Sequence, residues 1–200
     1  MLMSATEHCD AGFKQAVLLK CYEALEAEGF TRYRKQEVDW PMERGFHCWV
    51  GLNTGLAKEY LDINPFVGIH VVPIEKLWAK TKTGKYPGTY RRSAATYAVH
   101  MGELVPREQI FRFTLQTDVA AQAARLYSDA GLSYALSIGT YERLLPLLQE
   151  RVPMLGAYPE RVASCLYLMG RKEEARLFVE DFLKDHRDYF EGFAVPFLRF

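Results

Sequence analysis

The chain has 200 residues, with 25 basic against 25 acidic side chains and a composition that is 49% hydrophobic and 14% aromatic. A chain of this size buries roughly two-thirds of its unfolded surface, so disorder is excluded and neither disulfides nor a structural metal are needed. The charge balance argues against sequence-independent nucleic-acid binding, which draws on a surplus of Lys and Arg facing phosphates.

Met1 to Asp10 carries Glu7 and Asp10 but no Lys or Arg, and it lacks the continuous apolar stretch of a secretory signal. No segment approaches the ~18 to 20 consecutive apolar residues that span a bilayer. The expected location is therefore cytoplasmic, without a membrane partner. In that compartment Cys9, Cys21, Cys48 and Cys165, widely spaced and without a C-x-x-C pair, stay reduced and serve as small apolar residues.

In chain order, Ser4-Ala5-Thr6-Glu7 fits a capping box and predicts a helix. Phe13, Val17, Cys21 and Ala24 give that helix its stripe, Leu18, Tyr22 and Leu25 widen it, and Gly29 stops it. Alternation from Phe30 to Val38 predicts a strand, Asp39 to Gly45 a turn, and Phe46 to Leu52 the second strand of a hairpin. Asn64-Pro65 marks the start of a third strand over Ile63 to Val72. Pro73 then begins a short helix to about Lys82 with Ile74, Leu77 and Trp78 inward. Thr96 to Leu104 and Gln109 to Leu115 predict a further strand pair.

After Leu115 helices dominate. Thr117-Asp118 caps a helix ending near Gly131, Thr140 starts another that Pro146 should kink, and Pro159 starts a third ending at Gly170. Ala175, Phe178, Val179, Phe182, Leu183 and His186 line the helix that returns. The fold class is α+β: a mainly antiparallel sheet of about five strands with an N-terminal helix, followed by a helical lobe. The division falls at residues 1–115 and 116–200 within one compact structural domain.

None of the five histidines, His8, His47, His70, His100 and His186, stands in a metal-ligand motif. His47 and Cys48 are neighbours in a strand and point to opposite faces. His70 and His100 fall in predicted strands, and with Glu103 at a strand end they form the constellation an enzyme would use if those strands adjoin. G-x-S-x-G is absent, and Cys48, with His100 as its conceivable base, sits in an aromatic strand of core character. Thr83-Gly84-Lys85 lacks the upstream glycine of a phosphate loop, since position 79 is Ala. No cofactor or metal is expected.

Charge is segregated despite the neutral total. Lys76, Lys80, Lys82, Lys85, Arg91 and Arg92 crowd one segment with Tyr86, Tyr90 and Tyr97 interleaved. Glu173, Glu174, Glu180, Asp181, Asp185, Asp188 and Glu191 outnumber the bases near the C-terminus. Such patches suit a solvated surface or an oriented protein contact. Lys82, Lys85, Tyr86, Tyr90, Arg91, Arg92, Glu173, Glu174, Glu180, Asp181 and Asp185 are the candidate protein-binding residues.

Ile63-Asn64-Pro65-Phe66-Val67-Gly68 at a strand start, Gly102-Glu103-Leu104 at a strand end, the capped first helix, the aromatic strands and the closing helical hairpin together resemble immunity-type proteins of bacterial toxin systems. Leu168-Met169-Gly170-Arg171-Lys172-Glu173-Glu174-Ala175 resembles the inter-helix turn of tetratricopeptide-like hairpins. The resemblance implies a non-catalytic cytosolic protein that neutralises a partner toxin or effector domain by occluding it, and it transfers no functional residue. Two other readings stay open: a small enzyme with a site near His70, His100 and Glu103, and a structural or regulatory scaffold that docks through its helical hairpin. For the scaffold, Phe190 to Phe200 is either contact or core.

Overall fold

A computed structural model describes residues 8–34, 37–85, 94–107, 110–154 and 156–200. The α+β class holds, with six strands among the described residues in one antiparallel sheet of order β1-β2-β3-β4-β5, β6 pairing with β4. The residues fall into two compact units, each made of separate stretches of chain.

The first unit takes in the chain up to Met42, His47–Gly68 and Ala98–Ser137. Helix α1 (Ala11–Ala27) begins where the Asp10 carboxylate accepts the Phe13 N–H at 2.8 Å. Asp10 therefore caps the helix, and the Ser4–Glu7 box expected to do so lies outside the described residues. Val17, Leu18, Cys21, Tyr22 and Leu25 are buried as the stripe requires, and Gly29, at φ +96°, takes the left-handed stop.

The single strand expected at Phe30 to Val38 is two. Strands β1 (Thr31–Arg34) and β2 (Glu37–Pro41) pair antiparallel, from Thr31 opposite Asp39 to Arg34 opposite Glu37. Lys35-Gln36 between them carries none of the Gly, Pro, Asn or Asp residues that announce a reversal, so alternation alone ran the two together. Strand β2 also takes up the first half of the expected turn, and β3 (Phe46–Leu56) follows, with Asp39 opposite Trp49 and Pro41 opposite His47.

Strand β4 (Leu61–Val71) matches the strand expected over Ile63 to Val72 but begins two residues earlier, with Asn64-Pro65 inside it. Its first residues pair with β6 (Phe111–Phe113) from Leu61 opposite Phe113 to Ile63 opposite Phe111. Pro65 lies beyond that stretch, where its missing N–H breaks no bond of the pairing. The two late segments expected to pair with each other each pair with β4 instead.

Strand β5 (Tyr97–His100) runs straight into a helical turn, α3 (Met101–Leu104), where the sequence suggested a strand end. Local caps explain the difference: the His100 ring accepts the Gly102 N–H at 2.9 Å, and Glu103 accepts the His100 N–H at 3.1 Å.

Helix α4 (Ala120–Leu126) starts where Asp118 accepts the Ala120 N–H at 3.1 Å, as expected, and it packs on α1. It does not stop at Gly131. A π-helical turn (Tyr127–Gly131) carries it into α5 (Leu132–Ser137). Gly131 serves close approach, since a Cβ there would stand 3.2 Å from Cγ2 of Val67. Fully buried Tyr127 donates its hydroxyl to the Gly51 carbonyl at 2.8 Å, and burial drives its phenol pKa well up.

The second unit consists of Glu43–Phe46, Ile69–Tyr97 and Ile138–Phe200. Helix α2 (Val72–Thr83) has Pro73 in its first turn, buries Ile74 and Leu77, leaves Trp78 half-buried, and ends on Gly84 at φ +73°. Helix α6 (Tyr141–Glu150) is capped by Thr140 and continues through Pro146. Helix α7 (Tyr158–Leu168) begins with Pro159 and buries Val162, Cys165 and Leu166; after Gly170, α8 (Lys172–Asp185) returns along it, giving the expected helical hairpin.

A last helix, α9 (Arg187–Phe197), takes up most of the Phe190 to Phe200 segment, for which no helix was expected. Phe190, Phe193, Ala194 and Phe197 are buried at helical spacing, and α9 packs on α2 and α8. No glycine or proline separates it from α8, and its phenylalanines favour strands by propensity, so tertiary burial decided its state.

The C-terminal aromatics are thus mainly core. Phe193→Ala is expected to cost about 3–5 kcal/mol in urea unfolding. Phe200→Ala, at a residue 49% exposed, should cost less than about 1 kcal/mol. Equal losses would contradict the packing of α9.

Candidate functional site

The histidines and Glu103 singled out by the sequence perform structural work in the two units. His100, in the first unit, accepts at Nδ1 from Gly102, so its proton sits on Nε2 and is donated to Asn64 Oδ1 at 2.5 Å. Both ring nitrogens are occupied, Phe66 meets the ring edge-on at 5.1 Å between centroids, and Glu103 caps the backbone. His70, in the second unit, is buried and donates from Nδ1 to the Ala94 carbonyl at 2.6 Å. Among the described residues no group of three His, Cys, Asp or Glu side chains is placed to hold a metal.

The cysteines are buried, and burial pushes the thiols of Cys21, Cys48 and Cys165 up to about 12. A nucleophilic thiolate needs the opposite shift. Cys48 is core, as its aromatic strand suggested.

The second unit holds a buried ion pair that the sequence did not announce. Arg161 Nε donates to Glu75 Oε1 at 2.8 Å and Nη2 to Oε2 at 3.4 Å. Thr96 Oγ1 donates to the same Oε1 at 2.8 Å and accepts the Val71 N–H at 2.9 Å. Each of these donors and acceptors finds its partner inside the unit, which marks the group as architecture.

Of the predicted basic patch, Lys82 and Lys85 are exposed, Lys82 lying 5.4 Å from the Trp78 ring; Tyr86, Tyr90, Arg91 and Arg92 lie outside the described residues. The predicted acidic patch is real but largely compensated. Glu174 pairs with Arg171, Glu180 with Arg176 at 2.9 Å, Asp181 with Lys184 at 3.1 Å and Glu191 with Arg187 at 3.0 Å. These pairs, each three or four residues apart in α8, α9 or the approach to α8, reduce the field a distant partner feels.

The feature that sequence reasoning missed is a cleft of about 690 Å³ in the second unit, between the α6–α7 connection and the α8–α9 junction. Val152, Pro153, Met154, Gly156, Phe182, His186 and Tyr189 line it. Met154 is 52% and Tyr189 59% exposed. Phe182 and His186 came from the stripe of the returning helix and were read as inward-facing; only Ala175 and Val179 of that stripe are fully buried. The spare width of the stripe was the available signal, because an apolar face wider than its helix buries leaves a remainder for solvent or a partner.

Glu160, in the first turn of α7, is not among the residues that line the cleft, but its charge acts on Tyr189, which is. Burial raises its pKa above the ordinary value, against smaller opposing effects from its own backbone N–H, Lys82 and Arg161. Oε2 is buried, with no hydrogen-bond partner among the described residues. Burial and the Glu160 charge together raise the Tyr189 phenol, which places the two side chains in electrostatic reach.

Comparisons with protein families, with curated proteins and with solved structures found no match.

Two outcomes follow from these environments. The thiols should resist a disulfide reagent at about pH 8 in the folded protein and react fully once it is unfolded in guanidinium; rapid modification of the native state would contradict their burial. For Glu160, a folded pKa above the unfolded one means that the native state binds more protons between the two values. Stability is then fully present below the unfolded pKa and is lost as pH rises through the folded one. Glu160→Gln, which keeps the neutral form, should raise stability at neutral pH and flatten its dependence across the carboxylate range in thermal unfolding measured against pH.

Proposed function

We propose that the protein works by binding another protein at the cleft lined by Met154, Phe182, His186 and Tyr189. The observation that carries this is the exposure of a large thioether and an aromatic ring together at a concave apolar surface. Methionine and aromatic residues are enriched at protein interfaces, and exposed tyrosine anchors combine apolar area with a polar tip at low entropic cost. Within this reading the protein is a non-catalytic inhibitor of the immunity type, acting in the cytoplasm on a toxin or effector domain. Its support there is the resemblance carried by Ile63–Gly68, Gly102–Leu104 and the hairpin turn at Leu168–Ala175.

Affinity capture of the full chain from its native cells, beside a Met154→Glu/Tyr189→Glu variant of unchanged circular dichroism, tests it. The wild type should retain one stoichiometric partner, the variant at least about tenfold less, in line with the loss of a hot spot. The reconstituted complex should lack the partner's enzymatic activity. Recovery of the wild type alone overturns the binding reading, and an active partner in the complex overturns the inhibitor reading.

A further inference from the structure

One residue lining the cleft carries a sulfur atom that an oxidant can reach. Among the described residues Met101 is fully buried and Met42 and Met169 are half-buried, whereas Met154 is 52% exposed. Thioether oxidation follows access, so Met154 stands first of these four.

The local chain gives that sulfur a fixed neighbour. The Met154 N–H donates to the Arg151 carbonyl at 2.8 Å, which folds the chain back after α6, and Arg151 Nη1 donates to Met154 Sδ at 3.4 Å. The Arg151 guanidinium also lies 5.6 Å from the centre of the Tyr97 ring, a contact that holds it from a second side. A sulfur with one lone pair covered in this way offers the other to an incoming oxygen. The product, a sulfoxide, carries a polar oxygen, and a guanidinium has five N–H donors, more than the sulfur uses.

We propose that Met154 is a reversible oxidation site through which a hydroperoxide closes the cleft to its partner, with Arg151 positioning the sulfur. The free lone pair of Sδ takes one oxygen from hydrogen peroxide, the O–O bond breaks, and the other oxygen leaves as water with both hydrogens. Sulfur is oxidised to the sulfoxide and the peroxide is reduced. A flexible apolar side chain thereby becomes polar and chiral at a surface that docks through apolar contact, and sulfoxide reductases reverse the change. The inference rests on the docking reading and adds its regulation.

Hydrogen peroxide treatment of the folded full-length protein, followed over time by peptide mass spectrometry, tests the site. Met154 should gain one oxygen ahead of Met42 and Met169, and at least about tenfold faster than Met101, which is reached only through opening of the core. The two sulfoxide epimers are told apart by the two epimer-specific methionine sulfoxide reductases. In the wild type one epimer should exceed the other about threefold, the bias that one hydrogen bond supplies. In Arg151→Leu of unchanged circular dichroism the two should form equally. Capture of the partner should fall at least about tenfold on full conversion, in line with the loss of a hot spot, should track the sulfoxide of Met154 and of no other methionine, and should return after reduction. Oxidation of Met154 no faster than of Met42 and Met169, equal epimers in the wild type, or capture that tracks another methionine overturns the inference. If the oxidised protein keeps the partner while Met154→Glu/Tyr189→Glu releases it, the switch falls and the docking site stands. If both keep it, the docking reading falls with the switch.

Discussion

The Glu75 carboxylate is the point on which the second unit depends. It sits in the first turn of α2, receives Arg161 from α7 and Thr96 from the approach to β5, and Thr96 in turn holds the Val71 amide at the end of β4. Two helices and two strand ends are thereby fixed by one buried group. Such a pair adds little net stability over an apolar replacement of equal volume, but removing either partner strands a charge away from water at about 3–5 kcal/mol. Its value is therefore positional: it sets how α7 lies on α2, and α7 carries Glu160 and adjoins the cleft.

Around that anchor the unit is built from aromatic contacts of graded burial. Phe190, Phe193 and Phe197 close the core under α9, while Phe182, His186 and Tyr189 continue the same cluster outward to the cleft. A surface that grows out of a packed core is stiff, and a stiff apolar concavity loses little conformational entropy on binding. The contrast with the predicted patches is instructive. The acidic run of α8 and α9 is largely spent on bases one turn away, so it acts as helix support, and contact capacity has moved to side chains that charge counting overlooks.

Helices with strong caps and stripes were legible from residues alone: α1 from Val17, Leu18, Cys21 and Leu25, α2 from Pro73, α6 from Thr140, and the α7–α8 hairpin from Pro159 and Gly170. In each the deciding interactions are local, within a turn or two of chain. The readings that failed were set by distant or silent interactions. The β1–β2 reversal has no turn residue, the turn at α3 depends on a histidine acting as a cap, and Gly131 lies within a continuing helix where Val67 stands too close for a Cβ rather than at a helix end. The cleft was invisible for the same reason. Met154, Phe182 and Tyr189 belong to three segments, and no spacing rule tells which members of an apolar stripe the fold leaves uncovered.

Composition, periodicity and caps by themselves determined the α+β class, the antiparallel character of the sheet and most of the helices, because backbone hydrogen bonding and amphipathic burial act over a few residues. Tertiary structure alone decided that the aromatic C-terminus is a helix, that the suspect histidines and cysteines are occupied or buried, and that an open cleft remains at Met154, Phe182, His186 and Tyr189. Burial and pairing of a side chain depend on what arrives from elsewhere in the chain, and a neutral count of 25 against 25 charges records the sum without the partners.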